Sequence, residues 1–364
     1  MAKELDELLQ HTSEWLRGAG PVSDIVMSSR IRLARNLETV PFATRATKAS
    51  LAEVLKVVGE GIERLPATRT LSLFHLSALT EVDRQFLVER HLISREHAST
   101  PEGRAVAIEQ GEVISIMINE EDHLRVQVMQ SGFNLRGAWT LIDELDDQLS
   151  STLPFAYSSD WGYLTCCPTN TGTGMRASVM VHLPSLVITK QINKVLHAIS
   201  KLGLTARGLY GEGTEASGNF FQISNQVTLG RTEEELIENI ERILKQVIDQ
   251  EQAARDNLLA TNRLLLEDRI WRAYGILRHA HTISSGETLD LLSAVRLGVD
   301  LGIMANGPET GGKGGAHRID HQTVNELLIF SQPAHLQKLE GERLSAQERD
   351  MKRATLIRQR LGMH

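Results

Sequence analysis

The chain has 364 residues, which at roughly 150 per domain suggests two domains. Its 41% hydrophobic and 23% charged content is ordinary for a globular protein and excludes disordered and fibrous classes. With 39 basic and 46 acidic side chains the net charge is −7, which gives no support to a nucleic-acid or anionic-membrane partner. The two cysteines, Cys166 and Cys167, are adjacent, so no intrachain disulfide framework is expected. The start, MAKELDELLQ, is acidic and helix-like rather than a secretion signal. No apolar run approaches the roughly 18 residues of a membrane span. A soluble cytoplasmic protein is expected.

Leu5, Leu8, Leu9, Trp15 and Leu16 fall at helical spacing, so the first segment reads as one amphipathic helix stopped by Gly18 and Gly20. Arg30 and Arg32, two residues apart in SSRIRLAR (28–35), suggest an extended segment with both on one face. A second helix is expected over 51–65. Strand-like stretches follow at 71–76, 104–110, 113–119 and 124–129, and the last three read as neighbouring antiparallel strands. A helix over 138–149, a strand at 177–183, a helix over 192–202 and a strand at 218–224 come next. Thr232 and Glu235 form a capping box for a helix carrying Leu236, Ile240, Ile243, Leu244 and Val247. From about 255 the apolar residues lie on helices, and Ser345 with Glu348 caps a last one reaching about Gln359. The fold class expected is therefore α+β: an antiparallel sheet flanked by helices over 1–254, then an all-helical domain over 255–364.

Four strings carry candidate chemistry. NEEDHLR (119–125) puts three carboxylates in the connection between two expected strands, which taken alone fits a solvated turn as well as a site. CCPTNTGTGMRAS (166–178) leads small, hydrogen-bonding residues to Arg176, with Gly172 and Gly174 suited to close backbone approach to a ligand. An ordinary loop into a strand is its alternative. RGLYGEGTE (207–215) joins Arg207, two glycines and Glu212, and SSRIRLAR by itself is a basic stripe. A decoy lies at 306–315, where Gly307 to Lys313 have phosphate-loop spacing. Gly314 stands there in place of a Mg²⁺-binding Ser or Thr, and no strand–loop–helix context surrounds it.

In this order the four strings resemble the phosphagen (guanidino) kinases. Creatine and arginine kinases carry S-S/T-R-V/I-R, N-E-E-D-H-x-R, C-P-S/T-N-x-G-T-G-x-R and R-G-x-x-G. The likeness covers roughly residues 20 to 250. Two departures matter. The family begins with a helical domain that helps close over a small substrate, whereas SSRIR here starts at residue 28. A helical region after 255 is the second. The combination is similar to the bacterial protein-arginine kinases, and a missing cover suits a side chain presented by a protein.

The resemblance implies an ATP site in which Arg30, Arg32, Arg125, Arg176 and Arg207 fan their rigid donor forks around the triphosphate. Ser28 and Ser29 add polar contacts and Ile31 lies between the arginines. Ala177, Ser178, Val179 and Met180 contribute backbone and packing, and Gly208, Leu209, Tyr210 and Gly211 continue the site beyond Arg207. His91, in ERHLIS, matches a family histidine beside the nucleotide, with an ordinary helix-end histidine as the alternative. Met180 stands where another family histidine lies, so the base or ribose pocket is altered. Glu121 and Glu212 match the two carboxylates that hold the substrate guanidinium. That group is protonated at neutral pH and needs a base to free a lone pair. Cys167 matches a reactive cysteine and, among Arg176, Arg207 and amides, should lean towards thiolate. It would tune binding or confer oxidation sensitivity; Cys166 reads as a packed small residue. Mg²⁺ is expected on phosphate oxygens and water without a protein cage.

The last string is RDMKRA (349–354), with Arg349 and Arg353 one turn apart. Charges alone suggest a solvated helix with an Asp–Arg pair; the resemblance implies a phosphoarginine-binding segment comprising Arg349, Asp350, Arg353 and Ala354. It further implies a homodimer or higher homo-oligomer, an activator partner (McsA), and a stress-response role involving the repressor CtsR and a Clp ATPase. The function expected is ATP-dependent phosphorylation of arginine in proteins. A free-arginine kinase, or a phosphoarginine-reading adaptor with weak or no kinase activity, is the alternative. All five arginines and both glutamates are present, which argues against a dead site.

Overall fold

The computed structural model describes residues 2–66, 70–208, 217–306 and 319–362. Its strands are β1 (Val26–Arg35), β2 (Leu71–His75), β3 (Ala105–Glu109), β4 (Ile114–Ile118), β5 (Leu124–Ser131), β6 (Tyr157–Ser158), β7 (Gly162–Tyr163), β8 (Met175–His182), β9 (Leu204–Gly208) and β10 (Phe220–Asn225). β6 and β7 form a small hairpin. The others make one antiparallel sheet in the order β2-β3-β4-β5-β1-β8-β10-β9.

Because side chains alternate along a strand, the sheet has two unlike faces. Ile31, Leu33, Val126, Val128, Ala177 and Val179 point into a core shared with helices α2 (Lys48–Glu63), α5 (Leu135–Ser150), α7 (Ile192–Lys201) and α8 (Glu233–Thr261). The opposite face is polar at its centre. Arg32 sits between Gln127 of β5 and Arg176 of β8, Arg30 between Met129 and Ser178, and Arg207 beside Gln222.

The remaining helices are α1 (Ala2–Glu7), α3 (Glu81–Glu89), α4 (Arg95–Ser99), α6 (Pro184–Ile188), α9 (Arg263–His279), α10 (Ser285–Asp300), α11 (His321–Phe330), α12 (Pro333–Glu340) and α13 (Ala346–Arg360). The capping boxes at Thr232–Glu235 and Ser345–Glu348 both form, each with its reciprocal bonds. No helix among the described residues is long and apolar enough to cross a membrane.

Two expectations need correction or addition. The N-terminal segment is not one helix: α1 ends at Glu7, with short 3₁₀ turns at Leu8–Gln10 and Glu14–Leu16. The intervening residues serve tertiary partners instead. His11 O accepts from Arg90, Thr12 Oγ1 donates to Glu326, and Ser13 Oγ donates to Glu112 at 2.8 Å. Buried polar groups must be satisfied, and that outweighs local helical periodicity here. Also, α8 runs unbroken through residue 255. Ala254 packs in the first core, whereas Leu258 packs in a second core formed with α9, α10, α11 and α13.

Candidate active site

Hydrogen bonds fix the arginines of the polar face to neutral partners. Arg30 Nη2 donates to Gln222 Oε1 at 2.9 Å, and Arg176 Nη2 to Ser224 Oγ at 3.0 Å. Arg32 Nε is buried with no partner among the described residues. Burial, and then the like charges of Arg125 and Arg176, push Arg30 down to about 9. Burial and then Arg30, Arg125 and Arg176 push Arg32 in the same direction. The carboxylate that meets this cluster is Glu120, 2.8 Å from Arg125 Nη1. Burial opposes its charge, but Arg125 and the Ser94 hydroxyl hold it down to about 2. The cluster thus keeps uncompensated positive charge and unused donors, which an oligophosphate would satisfy.

The NEEDHLR loop divides its carboxylates by task. Asn119 adopts a left-handed φ of 61°, and its amide donates to His123 O, closing the loop. Asp122 is buried, with Oδ1 accepting from Asn36 Nδ2 and from the Cys166 amide, both at 2.7 Å. It ties the loop to β1 and to the cysteine segment. His123 accepts from the Leu37 amide through Nδ1 and lies 3.1 Å from Pro41 O through Nε2, so its role is structural. Glu121 is left exposed to the cleft. Burial, then Asp122 and Glu120, raise its pKa above the usual carboxylate value.

Two cavities meet on this face. One is lined by Arg30, Arg32, His91, Arg95, Arg125 and Gln127. The other holds Glu121 and Cys167 together with Arg32, Arg125, Asn170 and Arg176. Arg32 and Arg125 belong to both. Cys167 Sγ lies 2.9 Å from Thr169 Oγ1 and is hydrogen-bonded with Glu121, so a carboxylate stands where purely basic surroundings were expected. Gly172 and Gly174 are needed by the chain itself rather than by a ligand. A Cβ at Gly172 (φ 110°) would lie 2.7 Å from Thr228 O, and one at Gly174 (φ 63°) 2.6 Å from Arg35 Nη1.

His91 lines the first cavity with a φ of 60°, and burial followed by Arg30 pushes its ring down to about 3. It is therefore neutral there. A narrow extension of the cavity contains Ser28, Ser178 and Met180. Ser29 points to the other face, where its hydroxyl donates to Gly132 O and accepts from the Asn134 amide. Ile31, Ala177 and Val179 are core residues, so none of these four side chains except through backbone can touch a ligand in the cleft, and the expected Ser29 contact is withdrawn. Arg207 and Gly208 end β9 at the cleft's far edge, with Arg207 exposed. Leu209, Tyr210, Gly211 and Glu212, like the loop at 307–318, lie outside the described residues. Sequence reasoning missed Gln127, Gln222 and Arg95; the two glutamines were detectable as polar residues at alternate positions of apolar strands.

RDMKRA lies on α13. Arg349 and Asp350 are half-buried, whereas Arg353 and Ala354 are buried. Arg353 donates to Ser331 O at 2.7 Å, to Ile283 O at 2.8 Å and to Asp350. Arg349 donates to Leu344 O at 2.9 Å. Arg353 is thus committed to holding α13 in place, and the accessible charges of the motif are those of Arg349, Asp350 and Lys352, the last paired with Glu340.

A family model described as ATP:guanido phosphotransferase, C-terminal catalytic domain, matches residues 53–254, and one described as protein-arginine kinase McsB C-terminal domain matches 263–364. The chain is 51% identical over 358 residues to a protein-arginine kinase of Halothermothrix orenii, spanning 98% of this chain and 99% of that one. It is 43% identical over 353 residues to a protein-arginine kinase of Bacillus subtilis, spanning 96% and 94%. Among solved structures it is similar to the duplicated taurocyamine kinase from Schistosoma mansoni with bound transition-state-analogue components. There the identity is 30% and the TM-score 0.59, over 65% of this chain and 34% of that chain. Lombricine kinase gives 26% and 0.58 over 68% and 72%.

Proposed function

The chain belongs to the ATP:guanido phosphotransferases as a protein-arginine kinase, and from that premise we propose that transfer takes place where the two cavities meet, at Arg32 and Arg125. The observation that carries this is their shared position. Each lines both the arginine-lined cavity and the one holding Glu121. ATP lies with its phosphates on Arg30, Arg32, Arg125 and Arg176, and Arg207 closes the far side. The substrate guanidinium enters beside Glu121, with Glu212 as the second carboxylate.

A guanidinium has no free lone pair until it loses a proton. Glu121, already biased towards accepting one by burial, Asp122 and Glu120, takes that proton as the nitrogen attacks the γ-phosphorus. An N–P bond forms, the bond to the β–γ bridging oxygen breaks, and ADP leaves with the electron pair. The arginines stabilise the charge spread over the phosphoryl oxygens. Mg²⁺, when bound with the nucleotide, would neutralise further charge on the phosphates. Glu120 and Asp122 are occupied by Arg125, Ser94, Asn36 and the Cys166 amide, which leaves them to position the loop. Cys167, bonded to Glu121, tunes that carboxylate and does not act as a nucleophile.

The division at 254/255 is part of the same reading. Its support is the exchange of cores between Ala254 and Leu258 along α8. The second region would dimerise and bind phosphoarginine at the 349–354 turn of α13, with Arg349 and Asp350 making the contacts while Arg353 and Ala354 hold the helix in place. Cytoplasmic residence, the activator McsA, the repressor CtsR and a Clp ATPase complete the proposal. The decisive experiment incubates the protein with ATP, Mg²⁺ and either free arginine or an unfolded protein, followed by acid-lability and mass analysis. Phosphate on protein arginines supports the reading. Higher kcat/KM for free arginine makes this a metabolic kinase, and no transfer to either, with phosphoarginine bound, makes it an adaptor.

A further inference from the structure

We propose that Trp15 is a wall of the base-binding pocket and donates its indole N–H to a ring nitrogen of the purine. The proposal rests on the reading of the arginine face as the nucleotide cradle. Trp15 is 1% exposed, yet its Nε1 has no hydrogen-bond partner among the described residues. Buried donors are almost always paired, so an orphan of this kind asks for an explanation. Trp15 lines the narrow extension of the arginine-lined cavity together with Met129, Met180, His91, Ser28 and Gln222. His91, Arg30 and Gln222 line both spaces, so a group seated there is continuous with phosphates on Arg30.

The chemistry suits a flat heteroaromatic ring. Trp15 and His91 meet edge to face with centroids 5.5 Å apart. The space has a volume of only about 10 Å³, so a ring enters as the two unbranched, polarisable methionines shift aside. Ser28 and Gln222 add donors and acceptors at the rim. Met180 offers no ring donor, and the indole supplies one from a different part of the chain. Its position is fixed from the helical region: Asn325 Nδ2 donates to Leu16 O at 3.1 Å, and Thr12 Oγ1 donates to Glu326.

The test uses the full chain and two probes that differ by the nucleoside: ATP and inorganic tripolyphosphate, each with Mg²⁺. Trp15→Phe keeps an aromatic wall and removes the donor. Its ATP affinity should fall about two- to tenfold, the loss of one neutral hydrogen bond, with tripolyphosphate binding unchanged. In wild-type protein ATP, and not tripolyphosphate, should alter tryptophan emission, and Trp15→Phe should abolish that change. Unchanged ATP affinity in the variant, or equal weakening of both probes, overturns the proposal. Thermal melting of Trp15→Phe verifies folding. The underlying cradle is examined separately with Arg125→Ala: if that variant binds tripolyphosphate as wild type does, the cradle reading itself fails, whatever Trp15 does.

Discussion

Arginines are buried in both halves of this molecule, and their surroundings differ in kind. In the helical region and at its borders most buried guanidiniums are neutralised or saturated; Arg296, held by Asn325 Oδ1 and Ser23 O with its Nε unpaired among the described residues, is the exception. Arg255 meets Asp24, Glu251 and Asp300 at 3.2–3.3 Å, and Arg353 gives its donors to two carbonyls and Asp350. Arg90 is paired with Glu112. On the sheet, Arg30, Arg32 and Arg176 crowd one another and meet mainly glutamine and serine. An arginine that holds a fold together is given its counter-charge by the chain. An arginine that binds is left waiting for it. That contrast points to functional cations without reference to any motif, although Arg296 among the structural ones has only neutral partners and Arg125 in the cradle has Glu120.

The contrast can be broken at several points. The largest effect is expected at the carboxylate the cradle faces: Glu121→Gln keeps the shape, removes the proton acceptor and should lower turnover about 10²–10⁴-fold with ATP affinity preserved. Near-normal protein-arginine phosphorylation by that variant would refute its role. Next comes Arg255→Met, which strands buried Glu251 and Asp300 and should cost about 3–5 kcal/mol of unfolding free energy, measured by urea denaturation. Arg32→Met should do the opposite. Its Tm should stay level or rise as like-charge repulsion is relieved, while ATP affinity falls about 10–100-fold for one lost charge-assisted contact. A lower Tm would place Arg32 among the structural arginines.

Arg349→Ala combined with Asp350→Ala should remove phosphoarginine binding outside the cleft. If that segment is coupled to catalysis, activity shifts about 5–150-fold. Calorimetry on a Glu121→Gln background isolates this second site, and equal binding with and without the double change would reduce RDMKRA to a charged helix. The smallest effect concerns pH. An unfolded histidine takes up a proton near 6.5, and His91 in the fold does so only at about 3. The stability present above about 6.5 is therefore lost as pH falls towards 3. Melting curves at pH 7 and pH 5 should converge more closely for His91→Gln than for wild type; identical slopes would show that His91 titrates freely.

Much of the sheet was legible because β1 carries its arginines at two-residue steps, because β3, β4 and β5 are short apolar stretches separated by turn residues, and because both expected capping boxes close. What escaped the sequence was the identity of distant partners. Nothing local says that Asn36 will hold Asp122, that Gln222 will hold Arg30, or that Ser13 and His11 will break a helix to serve Arg90 and Glu112. Ser29 is a different case. Alternation alone places it on the opposite face from Arg30, and the motif resemblance overrode that signal. Gly172 and Gly174 were read correctly as close-approach positions, but what approaches them is the chain's own backbone and Arg35. The division of the acidic loop into an anchor, a neutraliser and a base was hidden, since Glu120, Glu121 and Asp122 look alike until their neighbours are known.

The helix α8 is one element shared by both cores. Its 29 residues span about 44 Å at 1.5 Å per residue. Just before its first turn, the Thr228 hydroxyl donates to the carbonyls of Thr169 and Thr171, in the segment that carries Cys167. Near its other end, Arg255 reaches Asp24 and Asp300. Between those points Leu236, Ile240, Ile243, Leu244 and Val247 seat it in the sheet core, and beyond them Leu258 seats it in the second one. A chain cut at 254/255 would sever a beam, not a linker.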